Sequence, residues 1–125
     1  MNIRTLLLVG IGGAAGSMVR FMISGIVARA GNMQLPVATF GINIAGSFLI
    51  GLLFGLSIRE NSALSQPMML LLATGFCGGF TTFSAFALEN INLLQKGAPL
   101  TAMGYSIASV VCGLLFCRLG LWLAA

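Results

Sequence analysis

The sequence carries very little charge and no histidine. Of its 125 residues, six are Lys or Arg and two are Asp or Glu, so only 6% are charged, whereas soluble domains average about 25%. A soluble domain of this length would need far more polar surface to cover its core. The six cations stand singly along the chain, which argues against the clustered basic surface of a nucleic-acid-binding protein.

The scarce cysteines and acids also argue against catalytic and metal chemistry. Cys77, Cys112 and Cys117 lie in apolar segments without a CxxC pair, so we expect neither a metal cluster of side chains nor a disulfide framework. The sequence offers no nucleophile–base set and no phosphate-binding loop in a suitable context. We therefore expect no enzyme activity.

Long hydrophobic segments are what the sequence does contain. Hydrophobic residues make up 58% of the chain, and a membrane helix needs about 20 mostly apolar residues. Four spans are predicted, at about 4–29, 36–58, 67–95 and 99–123. Apolar character continues past the N-terminal run, which favours a retained first helix over a signal peptide. The prediction is an all-α multi-pass membrane protein, with one integral membrane domain over residues 1–125.

Prolines and small residues punctuate these spans. A proline is expected at the start of each of the last three helices, where its missing N–H costs nothing: Pro36, Pro67 and Pro99. Three pairs of small residues lie four apart, which allows close helix packing in lipid: Gly12 and Gly16, Gly51 and Gly55, Ser109 and Gly113. Simple tolerance of glycine in membrane helices explains any single pair equally well.

The cations near the ends of the four spans are almost evenly divided between the two membrane faces. One side carries Arg4, Arg59 and Arg118, and the other carries Arg29 and Lys96. Because Lys and Arg set membrane orientation, a three-to-two division predicts weak preference and insertion both ways. Chains of opposite orientation could then pair antiparallel, and four helices enclose so little space that a transport protein of this kind is expected to be a dimer.

Three polar residues within the predicted spans stand out, because polar groups there are functional hypotheses by default. Arg20 either has a structural role, by snorkelling or by a contact to helix carbonyls, or forms an electropositive vestibule for an anion. Asn43 shares a helix side with Thr39, Gly46 and Ser47, and it is either an interhelical hydrogen bond or a pore-lining donor. Glu89 could make a structural contact between helices, or it could act as a cation ligand or a proton acceptor.

The stretch GFCGGFTTFSAF, residues 75–86, reads poorly as a plain membrane helix. Its glycines at 75, 78 and 79 predict a local unwinding, which is tolerated at membrane depth only inside protein or beside water. Its hydroxyls, on Thr81, Thr82 and Ser84, are expected to satisfy freed backbone groups. Phenylalanines recur every three residues from Phe80; they are either ordinary packing or a row of positive ring edges that attract an anion weakly.

The segments GINIAGSFLIG and TGFCGGFTTFSAFALE, with Arg20 upstream, resemble the Fluc (CrcB) family of fluoride channels over essentially the whole chain. The resemblance implies an antiparallel dual-topology homodimer with two pores, in the bacterial inner membrane, that passively exports fluoride. It also implies a structural sodium ion at the dimer centre, held by the backbone carbonyls of Gly78 and Thr81.

The resemblance further implies which side chains line the pores. Phe83 and Phe86 correspond to the pore phenylalanines, Asn43 to the pore asparagine and Arg20 to the vestibule arginine. The polar side of the pathway is assigned, by the same resemblance, to Thr39, Ser84, Glu89, Tyr105, Ser106 and Ser109. One departure is visible: family members often read FSTFS where this chain reads FSAFA, so Ala85 and Ala87 remove two hydroxyls.

Two rival functions are weighed against the channel. A small dual-topology multidrug exporter couples to protons through a carboxylate in its first span, and the first span here has no acid. A non-transporting membrane assembly subunit would explain the glycine-rich packing, but it leaves Arg20, Asn43 and the broken third span without a purpose.

Overall fold

The computed structural model describes residues 1–31 and 36–125, and its regular elements are all helices. Helix α1 spans Ile3–Ala30 and α2 spans Val37–Ser57. The third span consists of four consecutive segments: α3 (Gln66–Met69), a π-helical segment (Leu70–Cys77), α4 (Gly78–Phe80) and α5 (Phe83–Gln95). The fourth span is α6 (Pro99–Ala124). Four spans in these ranges are long and apolar enough to cross a membrane, which confirms the predicted four-helix membrane architecture.

The helix ends follow local sequence signals. Asn2 caps α1 by accepting a hydrogen bond from the Thr5 amide at 2.9 Å, and Ser65 caps α3 in the same way through Met68 at 3.4 Å. Pro67 stands in the first turn of α3 and Pro99 begins α6, as predicted. Pro36 directly precedes α2, while residues 32–35 of the first connector lie outside the described residues.

A glycine turn reverses the chain between the third span and α6. Gly97 has φ +76°, a conformation that other residues rarely adopt. The amide of Ala98 donates to the Leu93 carbonyl at 2.9 Å, and the amide of Gly97 donates to Leu94 at 3.1 Å. This pair of bonds is the Schellman motif, and it brings α6 back antiparallel to α5.

The helices pack as two pairs. Helix α1 lies against residues 70–80 in the first half of the third helix, and α2 lies against α6. Gly12 and Gly16 allow the first contact, because a Cβ at either would collide with the backbone between Leu71 and Phe80. Gly51 and Gly55 do the same against the backbone of α6 between Cys117 and Ala125. The expected close approach at small residues is therefore present in both pairs.

Helix α5, the second half of the third helix, is held mainly through its contact with α6. Leu93, Ala102 and Tyr105 form a buried apolar cluster at this contact. Phe40 from α2 and Phe86 from α5 pack against the cluster. This arrangement leaves the two halves of the third helix supported by different helices, with the break between them.

Candidate functional site

The third helix breaks at two threonines. Thr81 (φ −83°, ψ 158°) and Thr82 (φ −149°, ψ 124°) are extended, while Phe80 ends the first half and Phe83 begins the second. The expectation that the glycines unwind the helix was wrong in its detail, since Gly78 is helical at φ −62°, ψ −38°. Gly75 and Gly79 serve instead as close contacts with the α1 backbone, and β-branched threonines occupy the extended positions that suit them.

The threonine hydroxyls bond backbone groups on both sides of the break. The Thr81 hydroxyl donates to the Cys77 carbonyl at 2.8 Å, and the same carbonyl also accepts the Thr81 amide at 3.0 Å. The Thr82 hydroxyl accepts from the Ala85 amide at 3.2 Å, so Thr82 caps the start of α5. Ser84 lies 3.4 Å from the Thr82 hydroxyl, Oγ to Oγ. The predicted use of these side chains to satisfy freed backbone groups is present for Thr82, whereas the Thr81 hydroxyl adds a second bond to a carbonyl that already has a backbone partner.

Asn43 binds the break from the α2 side. Its Nδ2 donates to the Thr82 carbonyl at 2.9 Å, and its Oδ1 accepts from the Thr82 amide, also at 2.9 Å. One side-chain amide thus pairs with both backbone groups of a single extended residue, as a neighbouring strand would. The Asn43 amide keeps one further N–H. Of the two readings of Asn43, the interhelical hydrogen bond is present, and the role as an anion donor stays a prediction.

Arg20 binds the break from the α1 side. Its Nε donates to the Gly79 carbonyl at 3.1 Å, and the Ser17 hydroxyl lies 3.4 Å from the same oxygen. Arg20 is half-buried, so it meets the structural reading of a contact to helix carbonyls. The remaining guanidinium N–H groups are compatible with an anion vestibule as well, and that role stays a prediction.

The carbonyls of Gly78 and Thr81 at the break accept no hydrogen bond from the described residues. By contrast, the carbonyls of Cys77, Gly79 and Thr82 each accept one or more of the bonds given above. Gly78 and Thr81 line an open cavity of about 460 Å³. Backbone carbonyls freed in this way are the groups that hold Na⁺ in broken membrane helices.

The same cavity receives Asn43 and Phe83, and the described residues that line it include no Lys, Arg, Asp or Glu. Phe83 is 79% exposed, so its ring is open to the cavity. Its centroid lies 5.6 Å from that of Phe86, at an interplanar angle of 39°. Phe86 in turn lies 5.1 Å from the Tyr105 ring at 55°. The predicted pore rings therefore form a continuous tilted row from the cavity to Tyr105.

A group of polar side chains continues beyond Phe86. Three buried oxygens have no hydrogen-bond partner among the described residues: Glu89 Oε1, the Tyr105 hydroxyl and Ser109 Oγ. Thr39 of α2 adjoins Glu89 and Tyr105. Buried polar atoms are nearly always hydrogen-bonded, so these oxygens suit a place where water or an ion passes. Their role in the pathway stays a prediction.

Ser106 has a different environment from the rest of the predicted polar residues. Its hydroxyl donates to Asn90 Oδ1 at 2.9 Å, and Asn90 Nδ2 donates to the Phe86 carbonyl at 2.9 Å. This bridge fastens α5 to α6 beside Phe86. Asn90 and Ser17 are the two residues at the site that sequence reasoning missed. The signal for Ser17 was its position three residues before Arg20, on the same helix face.

Comparison with known proteins identifies the family. Residues 7–121 match the family described as CrcB-like protein, Camphor Resistance (CrcB). Proteins named fluoride-specific ion channel FluC align along nearly their whole length. The one from Azobacteroides pseudotrichonymphae is 41% identical over 118 residues (94% of each chain), and that from Methylobacillus flagellatus is 46% identical over 115 residues (91% of this chain and 89% of the relative). The Phocaeicola vulgatus protein is 39% identical over 121 residues, covering 97% and 98%. The chain therefore belongs to the CrcB family, whose members named here are ion channels and not enzymes.

Proposed function

We propose that this protein is a fluoride channel that lets fluoride leave the cytoplasm passively across the bacterial inner membrane. The observation that carries the proposal is the break itself. It places the exposed ring of Phe83 and the amide of Asn43 in one cavity lined by no charged residue, within a chain whose relatives are fluoride-specific channels. A site of this kind would attract a small anion without a fixed cation to trap it.

The ring row supplies the weak attraction. The edges of aromatic rings are electropositive, and Phe83 and Phe86 are tilted rather than stacked face to face. The Asn43 N–H that Thr82 does not use could donate to the anion at the same depth. The unpaired oxygens of Tyr105 and Ser109 would then continue the path with hydroxyl donors. Ser84, which is exposed beside Phe83, belongs to the same side.

The working unit of this proposal is an antiparallel homodimer of chains in both orientations. The nearly even division of cations supports dual topology. The open cavity at the break supports a second copy, because a partner's break placed against it would enclose the uncharged lining. The free carbonyls of Gly78 and Thr81, with their copies, fit a structural Na⁺ at the dimer centre. When bound, this ion supplies positive charge near an otherwise uncharged anion path.

Transport by such a channel needs no coupled energy source. A potential of 100 mV contributes about 2.3 kcal/mol per elementary charge, so a negative interior drives fluoride outward. Proton-coupled drug export is disfavoured by α1, which contains no Asp or Glu. An assembly subunit without transport would not explain an exposed phenylalanine at an uncharged cavity.

Fluoride efflux from sealed liposomes tests the proposal. Purified protein is reconstituted in vesicles loaded with potassium fluoride, and efflux is followed with a fluoride electrode after addition of valinomycin. We expect rapid efflux that depends on the potassium gradient and is absent with chloride in place of fluoride. Absence of fluoride efflux from vesicles containing folded protein would contradict the channel; uptake of a cationic dye driven by a pH gradient would support the exporter instead.

A further inference from the structure

The carbonyl of Gly79, near the end of the first half-helix, accepts hydrogen bonds from two side chains of α1. The last carbonyls of any helix lack partners within the helix, and the helical pattern of backbone bonds here ends with the Thr81 amide, which donates to the Cys77 carbonyl at 3.0 Å. Arg20 Nε and Ser17 Oγ approach the Gly79 oxygen at 3.1 Å and 3.4 Å. Both donors come from one face of α1, 59 and 62 residues away in the sequence.

A hydrogen bond that fixes one carbonyl at a helix end also constrains the direction of the preceding carbonyl. Successive carbonyls at a helix end are rotated by about 100° around the axis, because the helix has 3.6 residues per turn. Hydrogen bonds that hold the Gly79 oxygen toward α1 therefore hold the Gly78 oxygen toward a different side. Gly78 lines the cavity, and a Cβ built on Gly78 meets nothing within 4 Å in this chain. The cap and the free carbonyl thus lie on different sides of the same turn.

The charge of Arg20 suits this position for a second reason. The C-terminal end of a helix carries a partial negative charge, which a cation stabilises. The helix that ends at Phe80 receives Arg20 at this end. Arg20 Nε donates directly to the Gly79 carbonyl. The contact therefore fixes the orientation of that peptide plane in addition to placing a positive charge at the helix end.

We propose that Arg20 and Ser17 are positioning residues for the cation site: by fixing the Gly79 carbonyl toward α1, they direct the Gly78 carbonyl to the cation. This inference rests on the sodium site of the proposed function and names the side chains that set it. It assigns Arg20 a role that differs from attracting fluoride into a vestibule. The vestibule role predicts an effect on flux alone, and the positioning role predicts an effect on sodium binding.

Sodium-dependent stability separates the two roles. The midpoint of thermal unfolding of the detergent-solubilised protein is measured by the fluorescence of Trp122, in sodium chloride and in N-methyl-D-glucamine chloride. A ligand that binds only the folded state stabilises it according to its affinity. We expect sodium to raise the midpoint of the wild type and the rise to shrink by at least about half in Arg20→Gln, as a tenfold weaker site would require at sodium near tenfold saturation.

The matched control is Arg118→Gln, which removes the same charge from an exposed position on α6 and should keep the full sodium-dependent rise. A general loss of stability would lower the Arg20→Gln midpoint equally in both salts. An unchanged rise in Arg20→Gln would therefore overturn the positioning role while leaving the sodium site in place. A wild type without any sodium-dependent rise would overturn both.

A second pair of variants decides the question should Arg20→Gln fail to fold. Ser17→Ala removes the second donor to Gly79, and Ser17→Thr keeps a hydroxyl at the same position. We expect a smaller sodium-dependent rise in the alanine variant than in the threonine variant. Equal rises in the two would contradict the proposal.

Discussion

The side-chain amide of Asn43 has two roles in the proposed channel. It would donate a hydrogen bond to the anion, and it also binds the backbone of Thr82 at the break. Both hydrogen bonds to Thr82 measure 2.9 Å. Removing the side chain would leave a partly buried N–H and C=O without partners, at about 1–3 kcal/mol for each group. Loss of the anion donor and loosening of the break therefore act in the same direction on conduction.

We expect Asn43→Ala to reduce fluoride flux about ten- to a hundredfold, which corresponds to losing a hydrogen bond of about 1.5–3 kcal/mol to a charged partner. Flux is measured in liposomes at matched protein content, and dimer content is checked by chemical cross-linking. Ser57→Ala serves as the control on α2, since its hydroxyl only bonds within its own helix. Wild-type flux in Asn43→Ala would remove Asn43 from the pathway.

The two phenylalanines proposed to line the pore, Phe83 and Phe86, differ in environment, so the same substitution should affect their stability differently. Phe83→Ile and Phe86→Ile keep apolar bulk but remove the electropositive ring edge, and we expect both to lower flux at least about tenfold, the equivalent of about 1.4 kcal/mol. Stability should change little at the exposed Phe83. At Phe86, which packs on Tyr105, a loss of up to about 1.5 kcal/mol is expected.

Phe116→Ile is the matched control, because this ring is 42% exposed on α6 away from the break. Fluoride flux and thermal unfolding are measured for all three variants. If both Phe83→Ile and Phe86→Ile conduct like the parent, the rings serve packing alone.

At the same scale, the residues that sequence could identify were those with conspicuous chemistry. Arg20 and Asn43 stood out because an apolar span makes any polar residue visible, and the threonine hydroxyls followed from the need to satisfy freed backbone. Ser17 and Asn90 were missed, because the partners that give them a role, the Gly79 carbonyl for Ser17 and the Ser106 hydroxyl for Asn90, lie on other helices. Their importance depends on which backbone groups the fold leaves open.

At the scale of elements, the first half of the third helix lies so close to α1 that the glycine positions of their contact leave no room for a side chain. We expect Gly12→Ala to destabilise the protein by about 1–3 kcal/mol, since the new methyl group would overlap the backbone near Leu71 and Gly75. Gly10→Ala on the same helix meets nothing within 4 Å and should be neutral or slightly stabilising. Thermal unfolding in one detergent compares them, and equal midpoints would contradict this close contact.

The break itself was predicted within residues 75–86, but its position within that stretch was not. Glycine signals either flexibility or close packing, and only the position of α1 shows that Gly75 and Gly79 serve packing. The π-helical segment over Leu70–Cys77 had no sequence signal at all. Its residues are ordinary for a membrane helix, so the wider turn reflects tertiary contacts rather than local preference.

For the molecule as a whole, the proposed dual topology leads to a prediction that depends only on the number of cations on each side of the membrane. Asn61→Lys with Ala63→Lys adds two cations at exposed positions of the connector that carries Arg59. This side would then hold five cations against two, and we expect nearly all chains to insert with it facing the cytoplasm. If dimers require both orientations, fluoride efflux from cells expressing the doubly substituted chain should fall to the background level.

Co-expression provides the control for that experiment. A second copy with Arg4→Gln, Arg59→Gln and Gln95→Lys has the opposite bias, with one cation against three, and it should restore efflux when paired with the first. Full efflux from the Asn61→Lys, Ala63→Lys chain alone would contradict antiparallel assembly.

The hydrogen bonds that hold the break come from α1 and α2 of the same chain. In the proposed antiparallel dimer, the surface around the break of each newly synthesised copy would thus be formed before that copy meets another. Assembly of two copies would then resemble docking of rigid bodies in the plane of the bilayer, with little ordering of backbone left to its final step. Its rate should be limited by how often oppositely inserted copies collide, so dimer formation during biogenesis should vary with the product of the two populations and be fastest when they are equal.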